Sequence, residues 1–287
     1  MKFFTATLLW LGALALGQAA SSPPTTINNF NRCAYGANVG WLNWQGDVTS
    51  GAVIGDYSCA GYIYSANVGW INLGNGFPAN GVRYQNNVGY DFGVNHDGLG
   101  NLRGFAWGAN VGWINFENTG APKVDLITGN LSGYAYGANV GWISLSNASA
   151  LVQTDRIFAG MDLDGNGLPD PWEMLKFGHT GVDPNADPDH DGVKNKDEYL
   201  ADTDPNDGND SLRIMEYTRD ATMYTILGWT SRPTRLYLIE RNTVIGNLFW
   251  PWFDWRILPV FGWNRTGFYD TDTNAFYRVR AYRPLTP

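Results

Sequence analysis

CAYGANVGWLNW (33–44), YIYSANVGWINL (62–73), FAWGANVGWINF (105–116) and YAYGANVGWISL (134–145) are four copies of one pattern. Their tryptophans, Trp41, Trp70, Trp113 and Trp142, are spaced 29, 43 and 29 residues apart. In each copy, aromatic residues alternate with small or apolar ones, the chain turns through Gly/Ser-Ala-Asn-Val-Gly, and the alternation resumes. Period-two patterning on both sides of a glycine-bearing turn predicts a β-hairpin. Short apolar stretches upstream (52–54, 90–94 and 124–127) add a third strand to copies two to four. A repeated three-stranded unit is the expectation.

The alternation puts Tyr134 and Tyr136 on one face and Ala135 on the other, with Trp142 and Ser144 opposite Ile143 and Leu145. Aromatic strand residues generally fill cores, so the aromatic face is read as packing. The alternative is an exposed aromatic row, including Trp113, that binds carbohydrate. Asn38, Asn67, Asn110 and Asn139 are placed to satisfy turn backbone or adopt left-handed conformations. How the units close on one another cannot be read from the pattern. The copies resemble the GYAWSENIGWINF-type repeats of large exported bacterial proteins, over roughly residues 31–146.

Downstream, DLDGNGLPDPWE (162–173) and DPDHDGVKNKDE (187–198) both satisfy D-x-[DN]-x-[DN]-G-x5-E. A calcium-sized cation takes six to eight oxygens, and such a loop offers them from alternate positions. The first loop would supply Asp162, Asp164, Asn166, the Leu168 carbonyl, Asp170 and a bidentate Glu173. The second would supply Asp187, Asp189, Asp191, the Val193 carbonyl, Asn195 and Glu198. Gly167 and Gly192 allow the sharp turn, Pro171 suits the first turn of an outgoing helix, and Gly178 its end. Residues 155–210 hold fifteen acidic and four basic side chains. That charge alone would suit a solvated linker, but the doubled spacing points to two Ca2+ sites. This segment resembles the loop-helix calcium repeats of dockerins and thrombospondin type 3 repeats. Unlike a paired EF-hand, neither loop has a long entering helix, which argues against a calmodulin-like opening switch.

Residues 1–20 read as a secretory signal peptide: Lys2, the apolar run 3–16, then small residues before a cleavage point. Residues 21–30 read as a linker. The remaining divisions are a β-repeat domain (31–150), the calcium segment (155–210) and a small β-sandwich (211–287). Cys33 and Cys59 fit an oxidising compartment and either bridge the first hairpin units or remain two unpaired thiols. The last segment carries ten arginines, six acids and no lysine. It resembles fibronectin type III-like modules, but its middle reads NLFWPWFDWRILPVFGW (247–263). Trp250, Trp252, Trp255 and Trp263 there either cover an open edge or form a ligand platform.

The fold class is therefore mainly β: a β-meander repeat domain, a short loop-helix calcium segment and a C-terminal sandwich. The chain has three histidines and no H-E-x-x-H, G-x-S-x-G or phosphate-cradling loop. The acids that might pair for glycoside hydrolysis sit almost entirely in the metal loops. The expectation is a non-catalytic protein, secreted, periplasmic or at the cell surface, holding calcium and contacting an extracellular glycan or surface protein. A net charge of −8 on an exported chain disfavours nucleic acid. No stretch reads as a membrane span.

Overall fold

The structure is a computed structural model describing residues 23–47, 49–272 and 274–286. The segment read as a signal peptide lies outside the described residues. The fold is mainly β. Strands β1 (Ile27–Gly36), β2 (Gly40–Asn43), β3 (Ala60–Ser65), β4 (Gly69–Asn75), β5 (Val94–His96), β6 (Leu102–Gly108), β7 (Gly112–Phe116), β8 (Lys123–Val124), β9 (Leu131–Ser132), β10 (Tyr134–Gly137), β11 (Gly141–Ser144) and β12 (Leu151–Thr154) build the repeat domain. β1 thus begins inside the stretch read as linker.

The four copies form the hairpins β1–β2, β3–β4, β6–β7 and β10–β11. Each pairs its ring residues in the same register: Tyr35↔Trp41, Tyr64↔Trp70, Trp107↔Trp113 and Tyr136↔Trp142. The closing glycine of each turn has a left-handed φ of 74 to 80°, so Gly is required there. Between hairpins the partners are Asn43↔Tyr64, Asn72↔Trp107, Asn115↔Tyr136 and finally Ser144↔Tyr35. The last pairing joins β11 to β1 and closes an eight-stranded antiparallel barrel. Each junction steps the register by two residues, from Trp41 to Asn43 and its equivalents, so four junctions give a shear of eight.

An eight-stranded barrel is only wide enough for its own side chains, and this decides which face turns inward. Ala34, Ala106 and Ala135 alternate with Leu42, Ile71, Ile114 and Ile143 in the interior, capped by Trp44, Leu73, Phe116 and Leu145. The central void is about 10 Å3, so the barrel is a packed core and not a channel. The aromatic face, read as packing, is on the outside instead: the four repeat tryptophans are 44 to 51 % exposed. Across three adjacent strands the outer surface reads Asn43, Tyr64, Trp70, then Asn72, Trp107, Trp113, then Asn115, Tyr136, Trp142, and Ser144, Tyr35, Trp41 complete the circuit.

The turn asparagines do satisfy turn backbone, that of the neighbouring copy. Asn67, Asn110 and Asn139 each donate from Nδ2 to the valine carbonyl of the preceding copy's turn (Val39 at 3.0 Å, Val68 at 3.1 Å, Val111 at 3.0 Å), and Asn38 donates to Val140. They link neighbouring turns rather than satisfying their own. The third strands shrink to β5, the β8–β9 pair and isolated bridges such as Val53↔Ala60. Closure has already used both edges of every hairpin, so upstream segments attach only where strands overhang the barrel.

Cys33 and Cys59 are free thiols. Cys33 faces Asn43, and Asn43 faces Tyr64, five residues along from Cys59. At about 3.3 Å per residue along the strand and about 4.8 Å between strands, the two lie roughly 19 Å apart, far beyond disulfide reach. Burial pushes the Cys59 thiol up to about 12 and also raises Cys33. His96 is likewise structural: buried, its Nδ1 bonded to the Gly55 carbonyl at 2.9 Å and its Nε2 accepting from the Gly100 amide.

After the barrel come helices α1 (Asp170–Phe177) and α2 (Asn195–Ala201), then β13 (Ile214–Arg219), β14 (Tyr224–Ser231), β15 (Leu236–Asn242), β16 (Trp252–Ile257), β17 (Gly262–Tyr269) and β18 (Phe276–Tyr282). The last six make two three-stranded sheets, β13-β14-β17 and β16-β15-β18. Leu227 and Trp229 of one sheet meet Tyr237, Ile239 and Ala281 of the other in a shared core. Arg283, near the chain end, returns to the barrel: its Nη2 lies 2.6 Å from Asp56 Oδ2, and its guanidinium lies over the α2 residue Tyr199.

Candidate metal centre

The two acidic loops adopt the same hydrogen-bonded course, position by position. Gly167 and Gly192 occupy position six with φ of 91° and 93°, and their amides donate to Asp162 and Asp187 Oδ2 at 3.0 Å each. The next amides, Leu168 and Val193, bond to Asn166 and Asp191 Oδ1 at 2.7 and 2.8 Å. Left-handed glycine thus turns the chain tightly enough for early and late side chains to converge. A helix leaves each loop. Pro171 sits in the first turn of α1, and Gly178, at φ 75°, caps its end. Asp202 plays the capping part for α2. Trp172 and Tyr199 pack edge to face at 5.6 Å, with Leu168 beside them, and hold the two loop-helix units together.

Convergence is measurable. Carboxylate oxygens of Asp162, Asp164 and Asp170 lie within 4.8 Å of one another, as do those of Asp187, Asp189 and Asp191. Position-twelve Glu173 and Glu198 are fully buried. One oxygen of each is anchored: Glu173 Oε1 accepts from the Val182 amide at 2.7 Å and Asn166 Nδ2 at 2.8 Å, and Glu198 Oε1 accepts from the Thr203 hydroxyl at 3.2 Å. The other oxygen of each, Oε2, is buried without a hydrogen-bond partner. So are Asp187 Oδ1, Asp189 Oδ2, Asp191 Oδ2 and Asn195 Oδ1. The Asn195 amide is oriented by its Nδ2, which donates to the Asp183 carbonyl at 2.8 Å.

Burying acceptor oxygens without donors is costly. The cost registers in the titration of these groups: burial, then the charges of Asp189 and Asp191, push the Glu198 carboxyl up to about 7. Burial likewise raises Glu173, Asp170 and Asp189. A hard cation is the chemical complement of such an oxygen-only donor set.

The loops are not identical. In the first, Asp170 from position nine joins the triad, while Asn166 turns its amide nitrogen toward Glu173 and Asp164. In the second, position five supplies Asp191, and Asn195 is fully buried beside the helix start. Leu168 and Val193 have no side-chain oxygen, so only their carbonyls can serve. His190, at the variable fourth position, is exposed with φ 63°. The partners Val182, Asp183 and Thr203 escape sequence reading because they lie outside the twelve-residue pattern.

The other candidate residues are not brought together. Trp113 is on the barrel surface, whereas Trp250 lies in the C-terminal module beneath the Arg278 guanidinium at 5.0 Å. Trp252 and Trp255 belong to β16. Trp263, read as either covering an edge or forming part of a ligand platform, is 47 % exposed. Among the described residues no helix is long and apolar enough to cross a membrane. The chain matches no known family, no curated protein and no solved structure.

Proposed function

We propose that this chain is a secreted, non-catalytic calcium-binding protein in which two metal-ordered loops form the connector between a β-barrel and a β-sandwich-like module, serving attachment or protein contact outside the cell. One observation carries this reading: the unpartnered, fully buried Oε2 atoms of Glu173 and Glu198, at position twelve of two loops that also gather aspartate triads. Asp162, Asp164, Asp170 and Glu173 would hold the first ion. Asp187, Asp189, Asp191, Asn195 and Glu198 would hold the second, with the Leu168 and Val193 carbonyls completing the shells and Asn166 reorienting to offer its oxygen. The ion's part is to neutralise converging carboxylates. Without it they repel, and the connector loosens.

The connector is joined to both neighbours. Arg235 of the C-terminal module donates to the Tyr199 and Leu200 carbonyls at 2.9 Å each, and Arg283 adds its contacts to Tyr199 and Asp56. A metal that fixes α2 therefore fixes the spacing of the domains. The test is calorimetric titration of calcium into chelator-stripped protein, beside Glu173→Gln and Glu198→Gln. Two binding events per chain, each weakened by its own substitution, are expected. No heat at millimolar calcium would reduce the segment to an acidic spacer.

A further inference from the structure

The barrel's outer belt is a second candidate surface, separate from the metal loops. Among the repeats the turn valine and the half-exposed tryptophan are constant, whereas the first outer position varies as Cys33, Tyr62, Phe105 and Tyr134 and two buried positions vary as well. One interior position is Leu42, Ile71, Ile114 or Ile143, and the next is Trp44, Leu73, Phe116 or Leu145, yet the exposed position between turn and core is tryptophan in all four. A core tolerates such exchange while volume is kept. Folding alone sets no such demand for indole on a half-exposed face.

The rings are held in place. Trp70 and Trp142 lie over glycines, so that a Cβ at Gly46 or Gly120 would come within 3.2 Å of the indole. Each repeat tryptophan stands at 4.7 to 5.3 Å from its cross-strand ring at a steep angle. That arrangement leaves flat, rigid, half-exposed faces. Three of the rows begin with a half-buried asparagine and continue with two rings; the fourth begins with Ser144, which is buried with its hydroxyl donating to the Ser146 carbonyl. No row contains a charged residue, although the chain as a whole is at −8.

We propose that this belt binds a neutral polysaccharide, the rows stacking the C–H faces of pyranose units on their rings and the amides of Asn43, Asn72 and Asn115 hydrogen-bonding the sugar hydroxyls. Stacking exploits the negative face of the aromatic quadrupole. An uncharged surface selects an uncharged ligand. Lipid is disfavoured: every row carries a polar group, and seven of the eight strands have seven residues or fewer, short of the roughly nine needed to cross a bilayer. Nucleic acid would require cations. Because the rows are distributed around a convex barrel, one folded partner covers only some of them. A polymer that repeats the same unit can use all four.

The test is depletion of the full-length protein from solution by cellulose, chitin and insoluble xylan, with pectate as the anionic comparison, in calcium and again in chelator. Retention on a neutral polymer that persists in high salt is expected. Trp142→Ala should weaken it roughly fivefold to tenfold, and Trp70→Ala with Trp142→Ala further. Asn72→Asp keeps every ring and the acceptor that the Gly74 amide uses but places a charge in one row, and should weaken retention without changing the denaturation midpoint. No retention on any neutral polymer would overturn the proposal, as would retention unchanged in the double variant. So would sedimentation showing an oligomer that the tryptophan substitutions dissolve, since the belt would then join copies of the chain. Retention that survives chelation separates this result from the fate of the metal reading.

Discussion

Asn38 Nδ2 donates to the carbonyl of Val140 at 3.2 Å, across 102 residues of sequence. It is the last of four equivalent links, and it joins the first turn of the barrel to the final one. Removing the amide takes from the Val140 carbonyl the donor that ties the two turns together. Asn38→Ala should therefore cost about 1 kcal/mol, and Asn67→Ala a similar amount. Denaturant midpoints at constant slope would check this. A markedly smaller loss at Asn38 alone would mean the closing seam is looser than the other three.

The hairpins were legible because each is encoded within twelve residues, with its turn and both alternations side by side. Closure was not: Tyr35 and Ser144, which pair across the seam, share no local signal. The facing of the aromatic rows was misread for a physical reason. In a broad sandwich Tyr and Trp would fill the interior, but the middle layer of this eight-stranded barrel is filled by Ala34, Ile63, Ala106 and Ala135 against Leu42, Ile71, Ile114 and Ile143, with only Trp44 and Phe116 as rings at its end, so the paired tyrosines and tryptophans lie outside. The convergence of the two acidic loops was legible since one short segment supplies nearly every carboxylate that meets there. Their outside anchors, Val182 and Thr203, and the Arg283–Asp56 tie depend on tertiary approach that no spacing encodes.

The thiols should behave differently from a disulfide. Intact mass under non-reducing conditions should show two free thiols, both alkylated after unfolding. In the native protein the partly exposed Cys33 should react slowly, and Cys59, buried with its thiol raised to about 12, should react only on opening. A mass two units lower that returns on reduction would contradict the separation of roughly 19 Å between these residues.

Arg283→Met should uncouple the C-terminal module from the barrel. Asp56 would keep its buried carboxylate but lose the guanidinium 2.6 Å away, a loss of about 3 kcal/mol for a buried pair broken on one side. Adding Asp56→Asn should recover part of it, and the double-mutant cycle reads the coupling directly. Simple additivity would show the contact to be incidental.

Chelation should lower the melting temperature. At about 1 mM calcium and a dissociation constant near 0.1 mM, each site adds roughly 1.4 kcal/mol. Glu198→Gln removes a charge from the metal-free repulsion while weakening the site. Its melting temperature in chelator should therefore equal or exceed that of the parent, with a smaller gain on adding calcium. Differential scanning calorimetry in both conditions would expose the opposite pattern.

In the C-terminal module, the Arg241 guanidinium meets both oxygens of the buried Asp270, with Nη2 at 2.8 Å from Oδ1, and the Tyr277 hydroxyl donates to the same carboxylate. Arg241 first, then Tyr277 and the Asp272 amide, hold this carboxyl well below the usual range against the opposing effect of burial. A depressed carboxylate contributes stability that is fully present above its unfolded pKa of about 4. That contribution is lost as the pH falls toward the folded value. Asp270→Asn should therefore cost about 2 kcal/mol at neutral pH, because Arg241 loses its buried partner and keeps only the more exposed Asp272. It should also flatten the fall in denaturation midpoint below about pH 4. A variant whose acid profile runs parallel to the parent's would assign acid sensitivity to other carboxylates, and Arg241→Gln should then give the same parallel curve.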